Sequence, residues 1–121
     1  GGDFLSKYRS RVTVEAARVS AAVARGVPEK LHLQLNRQLV GAKSVEKVLE
    51  LVDERLQDFN DVNQITAMHR LATLASSPRR PAVRRDARFK RLSSRLAEML
   101  RHSEELSPQD LSNAAWALTK L

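Results

Sequence analysis

Apolar residues recur at spacings of three and four along most of this 121-residue chain, the mark of helices that each bury one face. Over residues 4–25, Tyr8, Val12, Ala16, Val19 and Val23 keep that spacing. Lys7, Arg11, Arg18 and Arg25 fall on another face, and Gly26 stands where a helix stop is expected. Pro28 suits the first turn of a second helix, over about 29–41. There Leu31, Leu33 and Leu35 alternate as in a strand, while Leu31, Leu35 and Leu39 fit a helix. A lone strand would have nothing to pair with, so the segment is expected to be helical, with a short strand at 31–35 as the alternative.

Ser44 is placed to cap a third helix with Glu46 in its first turn; the apolar set Val45, Val48, Leu49, Val52 and Leu56 runs on to Phe59. Asn60 and Asp61 interrupt and recap the chain. The next helix points Val62, Ile65, Met68, Leu71, Ala72 and Ala75 inward. The stretch SSPRRP, residues 76–81, reads as a loop. A helix over about 84–104 follows, with Phe89, Leu92, Leu96, Met99 and Leu100 as its core stripe. Ser107 and Pro108 form an N-cap and first-turn pair for a last helix that turns Leu111, Ala114, Ala115, Leu118 and Leu121 inward.

The chain resembles itself at an offset of 47 residues. Phe59 matches Leu106, His69 matches Trp116, Leu71 matches Leu118 and Leu74 matches Leu121, while Val45, Leu49 and Val52 fall on Leu92, Leu96 and Met99. Each unit is a long helix, a turn and a shorter Ala-rich helix. Units of this kind stack on one another to bury their faces, so the expected fold is all-α, an α-solenoid of helical-hairpin repeats. The expected division is an N-terminal helical segment at 1–42, a first hairpin repeat with its basic loop at 43–83, and a second repeat at 84–121. Gly1-Gly2 without Met and an apolar pattern still running at Leu121 suggest a processed product or fragment, continuing into further repeats.

Composition narrows the partners. Apolar residues are 42% of the chain but aromatics only 4%, so the core must be Leu, Val and Ala, which suits helical packing. The net charge is +7, which points to a polyanion such as nucleic acid, the ribosome or an acidic membrane; a solvated basic surface is the plainer reading. The charge is uneven: residues 76–102 hold +7, while 43–75 and 103–121 hold −2 each. With no Cys, disulfides and thiolate zinc sites are excluded. No apolar run is long enough to span a bilayer. Residues 4–25, rich in Arg, Ser, Ala and Val, also resemble an organellar targeting helix, though a packed N-terminal helix is preferred.

The stretch LSPQDLSNAAWALTKL, residues 106–121, resembles the signature helix of octotricopeptide-type repeats, with Leu111, Asn113, Trp116, Ala117, Leu118 and Leu121 in register. FNDVNQITAMHRLATLA, residues 59–75, resembles the divergent form found in RAP-domain-associated proteins of algae and apicomplexans, and LNRQLVGAKSVEKVLELV, residues 35–52, looks like the same group. The resemblance covers about residues 31–121. It implies an α-solenoid that binds single-stranded or ribosomal RNA in a mitochondrion or chloroplast, as a soluble or peripherally associated factor in organellar gene expression. Some relatives are instead built into organellar ribosomes or other multiprotein assemblies, so the alternative is a non-catalytic structural or scaffold subunit of an organellar complex whose arginines dock acidic protein partners. The chain departs from the family in its 47-residue spacing, longer than the usual unit of about 38. No stretch of residues 1–121 reads as a RAP domain, so no activity tied to one is expected of them.

The candidate site is an arginine stripe. Arg84, Arg88, Arg91 and Arg95, spaced four, three and four, are expected on one helix face that His102 continues, flanked by Arg79, Arg80 and Arg85. Asp86 and Glu98 are the only acids nearby in sequence. Guanidinium groups match phosphate oxygens and stack on bases, so the stripe suits RNA; a solvated helix face is the alternative. One repeat earlier the same positions are Arg37, Gly41, Ser44 and Val48, so the basic face does not recur in every unit. His69, Trp116, Leu118 and Leu121 are expected at repeat interfaces; base stacking by Trp116 is the minority reading. Asn63 and Asn113 are read as hydrogen-bonding between helices. His32, His69 and His102 are isolated from carboxylates at ligand spacing, Gly41 stands alone, and no Ser has a nucleophile-elbow context. No enzymatic role, cofactor or metal is therefore expected.

Overall fold

The computed structural model describes residues 30–102 and 106–121; the helix expected over 4–25 lies outside them. The described residues form six α-helices and no strand: α1 (Lys30–Gly41), α2 (Val45–Arg55), α3 (Asp61–Leu74), α4 (Arg80–Arg85), α5 (Ala87–His102) and α6 (Pro108–Lys120). Short 3-10 turns, Leu56–Asp58 and Ser77–Arg79, follow α2 and precede α4.

Local chemistry sets most of these boundaries. In α1 the helical spacing wins over alternation: Leu35 and Leu39 are buried and no strand forms at 31–35. Ser44 caps α2, its hydroxyl accepting the Lys47 amide at 3.1 Å. Asn60 and Asn63 form a reciprocal capping box at the start of α3. Ser107 caps α6, accepting from the Asp110 amide, with Pro108 in the first turn.

Two expectations about residues 76–104 are corrected. The SSPRRP stretch is not an open loop. It forms the 3-10 turn and enters α4, because Pro81 has no amide to leave unpaired in the first turn of a helix. No single helix runs from 84, since Asp86 adopts an extended backbone that ends α4. Its carboxylate accepts the Arg88 amide at 2.8 Å, as a cap does, and α5 starts afresh at Ala87.

α3 is the centre of the molecule, lying between α1 and α6 and packed on α2 and α5 as well. That position accounts for ten consecutive buried residues from Asn63 to Ala72, where a surface helix would bury one stripe. α2 and α5 pack on each other. Cross-links fix direction: Asn63 reaches Asn36 and Arg70 reaches Ala42, so α1 and α3 run parallel. Arg88 reaches Glu46 and Arg91 reaches Asp53, so α2 and α5 run parallel too. The core is aliphatic, with Leu35, Leu39, Val48, Val52, Ile65, Met68, Leu71, Leu92 and Leu96 nearly or fully removed from solvent.

The inward face of α6 is also corrected. Asp110, Asn113, Ala114 and Ala117 are buried, whereas Leu111 is 47% and Leu118 41% exposed and Ala115 is exposed. Only Ala114 of the expected inward set is fully buried, and Leu121 is half-buried.

Candidate polyanion-binding face

The arginines of the expected stripe and its flanks are spread over the Ser77–Arg79 turn, α4 and α5. Arg84 sits in α4, beyond the break at Asp86, so it does not share a helix with Arg88, Arg91 and Arg95. Its Nη1 donates to the Leu121 carbonyl oxygen at 2.6 Å, tying α4 to the end of α6.

Arg88 and Arg91 face acids from α2. Arg88 donates through Nη1 and Nη2 to both Glu46 carboxylate oxygens, at 2.9 and 3.2 Å. Through Nε and Nη2 it also donates to the two oxygens of Asp86, at 3.0 and 2.9 Å. This double fork holds the Asp86 carboxyl down to about 2 and lowers that of Glu46, and the two carboxylates raise the Arg88 guanidinium in turn. Arg91 donates to Asp53 at 2.6 Å, an exposed pair. Sequence distance hid both partners: Glu46 and Asp53 lie 42 and 38 residues away, and only the pairing of α2 with α5 brings them in.

Arg80 turns back on its own segment, donating to the Ala75 carbonyl at 3.3 Å and the Ser77 hydroxyl at 3.5 Å. Arg79, Arg85 and Arg95 are exposed and have no hydrogen bond or ion pair among the described residues, and the same holds for Lys90, which the sequence reading passed over. Of the seven arginines, then, Arg84, Arg88, Arg91 and Arg80 have partners within the chain, and Arg79, Arg85 and Arg95 present unneutralised charge. Glu46 and Asp53 offset part of the positive charge of residues 76–102, which stays basic.

Two open grooves follow the seam between α2 and the basic segment. One, of about 430 Å³, is lined by Ser44, Glu46 and Leu49 on one side and Pro78, Arg79 and Val83 on the other. The second, of about 520 Å³, has Leu56 on one wall and Lys90, Arg91, Ser94 and Arg95 on the other. Both combine aliphatic surface with a guanidinium, which suits a chain of phosphates carrying flat bases. Beyond the second groove, Glu98 pairs with Arg101 and His102, and its carboxyl is lowered chiefly by Arg101. His102 therefore extends an acid-containing cluster and not a purely basic stripe.

The expected interface residues fall in different places. His69 is buried and lies against the half-buried Trp116, ring centroids 4.7 Å apart, and the Lys120 ammonium sits over the Trp116 ring at 5.9 Å from its centroid. Asn63 donates from Nδ2 to the His32 carbonyl and the Asn36 side chain, both at 3.0 Å, joining α3 to α1 as expected of an interhelical amide. Asn113 is buried and accepts from Gln109 on its own helix. Arg70, which the sequence reading did not single out, is buried and donates to the Ala42 carbonyl just past α1, capping a helix end that would otherwise lack a donor.

Among the described residues no three His, Asp or Glu side chains gather as metal ligands, and no helix is long and apolar enough to cross a membrane. No family model matches the chain, and no curated protein or solved structure is significantly similar to it.

Proposed function

We propose that the chain is an RNA-binding module of α-solenoid type, a part of an organellar gene-expression factor or ribosome-associated protein, and non-catalytic. The observation that carries this reading is the set of exposed, unneutralised cations: Arg79, Lys90 and Arg95 on the walls of two part-apolar grooves, and Arg85 exposed on α4. Uncompensated like charge within a few turns of helix is unfavourable on its own, and a phosphate backbone relieves it while releasing counterions. The solenoid reading draws support from the parallel runs of α1 with α3 and α2 with α5, and from His69 meeting Trp116 across the 47-residue offset. The organellar setting rests on the octotricopeptide resemblance alone.

The test is a titration of labelled single-stranded RNA with the whole chain at rising salt. Binding that weakens steeply and linearly on a log–log scale supports the reading; no binding at low salt overturns it.

A second reading is a structural subunit that docks protein partners. The stripe Leu111, Ala115 and Leu118 on α6 favours it, since these residues share a face and stand exposed. At the 47-residue offset their counterparts in α3 are Gln64, Met68 and Leu71, all buried. A helix laid on α6 would cover the stripe in the same way, so the two readings are compatible: one concerns the basic seam, the other the apolar face of α6.

A further inference from the structure

We propose that Ser77 is a phosphorylation site for a proline-directed protein kinase, and that its phosphate switches off the neighbouring basic face. Ser77 is followed by Pro78, Arg79 and Arg80, so it carries proline at the next position and a cation three residues on, the pattern such kinases read through a small apolar pocket and an acidic one. It is also presented for modification. Ser76, Ser77, Pro78 and Arg79 are four consecutive exposed residues, and the 3-10 turn they enter buries no side chain, so it opens locally at little cost into a kinase cleft.

The other Ser-Pro pair argues by contrast. Ser107 is half-buried, its hydroxyl accepts the Asp110 amide as the α6 cap, and an acid stands three residues on. Modification there would cost the cap, whereas the Ser77 hydroxyl has only the long 3.5 Å hydrogen bond from Arg80.

The step is ordinary phosphoryl transfer. The Ser77 Oγ attacks the γ-phosphorus of ATP in the kinase, the Oγ–P bond forms as the bond to the β,γ-bridging oxygen breaks, ADP leaves, and the hydroxyl proton passes to the kinase's carboxylate base. The product has a receiver in place: Arg80 already donates to that oxygen, and Arg79 is two residues away on the groove wall. A phosphate there brings a charge of about −1.5 to −2 and three strong acceptors. It engages Arg80 and Arg79 internally and adds negative potential to the seam. The switching half of the proposal rests on the RNA reading above; the modification itself does not.

The experiment treats the whole chain, with its Ser77→Ala and Ser107→Ala variants, with a proline-directed Ser/Thr kinase and Mg-ATP. Phosphopeptides are mapped by mass spectrometry and labelled single-stranded RNA is titrated before and after. Phosphate is expected on Ser77, lost in Ser77→Ala and kept in Ser107→Ala, with RNA affinity falling about tenfold and the salt slope becoming shallower. Phosphatase treatment should restore both. Absence of phosphate on Ser77 while a control Ser-Pro-x-Arg peptide is labelled in the same tube overturns the proposal. So does a phosphorylated chain that binds RNA as tightly as the unmodified one. If the unmodified chain binds no RNA at all, the RNA reading and the switch fall together, and labelling of Ser77 still decides the modification site.

Discussion

The imidazole of His69 and the indole of Trp116 lie against each other with ring centroids 4.7 Å apart and planes tilted by 31°, joining α3 to α6. The contact couples the helix at the centre of the core to the last helix. Replacing Trp116 by Ala should therefore destabilise the fold by about 2–3 kcal/mol, less than for a fully buried Trp because this one is half-exposed. In a double-mutant cycle with His69→Ala, urea unfolding should return a coupling of about 0.5–1.5 kcal/mol. Additive effects would mean that the rings touch without cooperating.

Burial, and secondarily the charge of Arg70, pushes the His69 imidazole down to about 4 from an ordinary 6.5. The unfolded chain thus binds a proton that the folded chain refuses between these values. Stability should be flat above about pH 6.5, fall as pH drops toward about 4, and level off for this group below that, with a ceiling of about 3 kcal/mol. Urea midpoints at pH 7.5 and 4.5 check it: the difference should shrink in His69→Leu.

The Arg88 double fork is expected to act in folding more than in binding. Arg88→Met removes the partner of Asp86 and Glu46 and should cost about 1–2 kcal/mol, loosening the junction between α4 and α5. Asp86 sets a second, more acidic pH window. Its contribution is complete above its ordinary 3.8 and is lost as pH falls through about 2, and the variant should lack that acid-sensitive component. Acid titration followed by circular dichroism compares the two.

Asn63 serves twice, closing the α3 capping box with its carbonyl oxygen and binding α1 with its amide. Asn63→Ala should destabilise by about 2–3 kcal/mol, since it leaves the buried Asn36 carbonyl without its donor. Asp at this position would keep the box and lose the amide donor. If Asn63→Asp proves as stable as the parent by thermal melting, the α1 contact contributes nothing.

How much of this was legible follows from how far each signal travels along the chain. Caps are local, so Ser44, Asn60 and Ser107 announced their helices from two or three residues away. The stop at Asp86 was harder, because the arginine spacing continues smoothly across it, although Asp one residue before a new helix is itself a cap signal. Facing was legible only for helices with one buried side. α3 buries Gln64, His69 and Arg70 along with its apolar stripe because helices surround it. In α6 the small residues Ala114 and Ala117 allow close approach to α3, and the large Leu111 and Leu118 turn outward, against the usual weighting of Leu as core. The charge partners of Arg88 and Arg91 depend on helix pairing, which no local pattern encodes.

The most direct test separates the arginines by their surroundings. In one variant Arg79, Arg85, Lys90 and Arg95 become Gln; in the other Arg84 and Arg91, already engaged within the chain, become Gln. Gln keeps helix propensity, so both should fold, as circular dichroism would verify. Salt titrations of single-stranded RNA binding then give the slope of log K against log salt, to which each neutralised phosphate contributes about −0.7. The account predicts a much flatter slope and weaker binding to all sequences for the first variant, and a near-parental slope for the second. A parental slope in the first variant, or the larger loss in the second, would contradict RNA contact through these exposed cations.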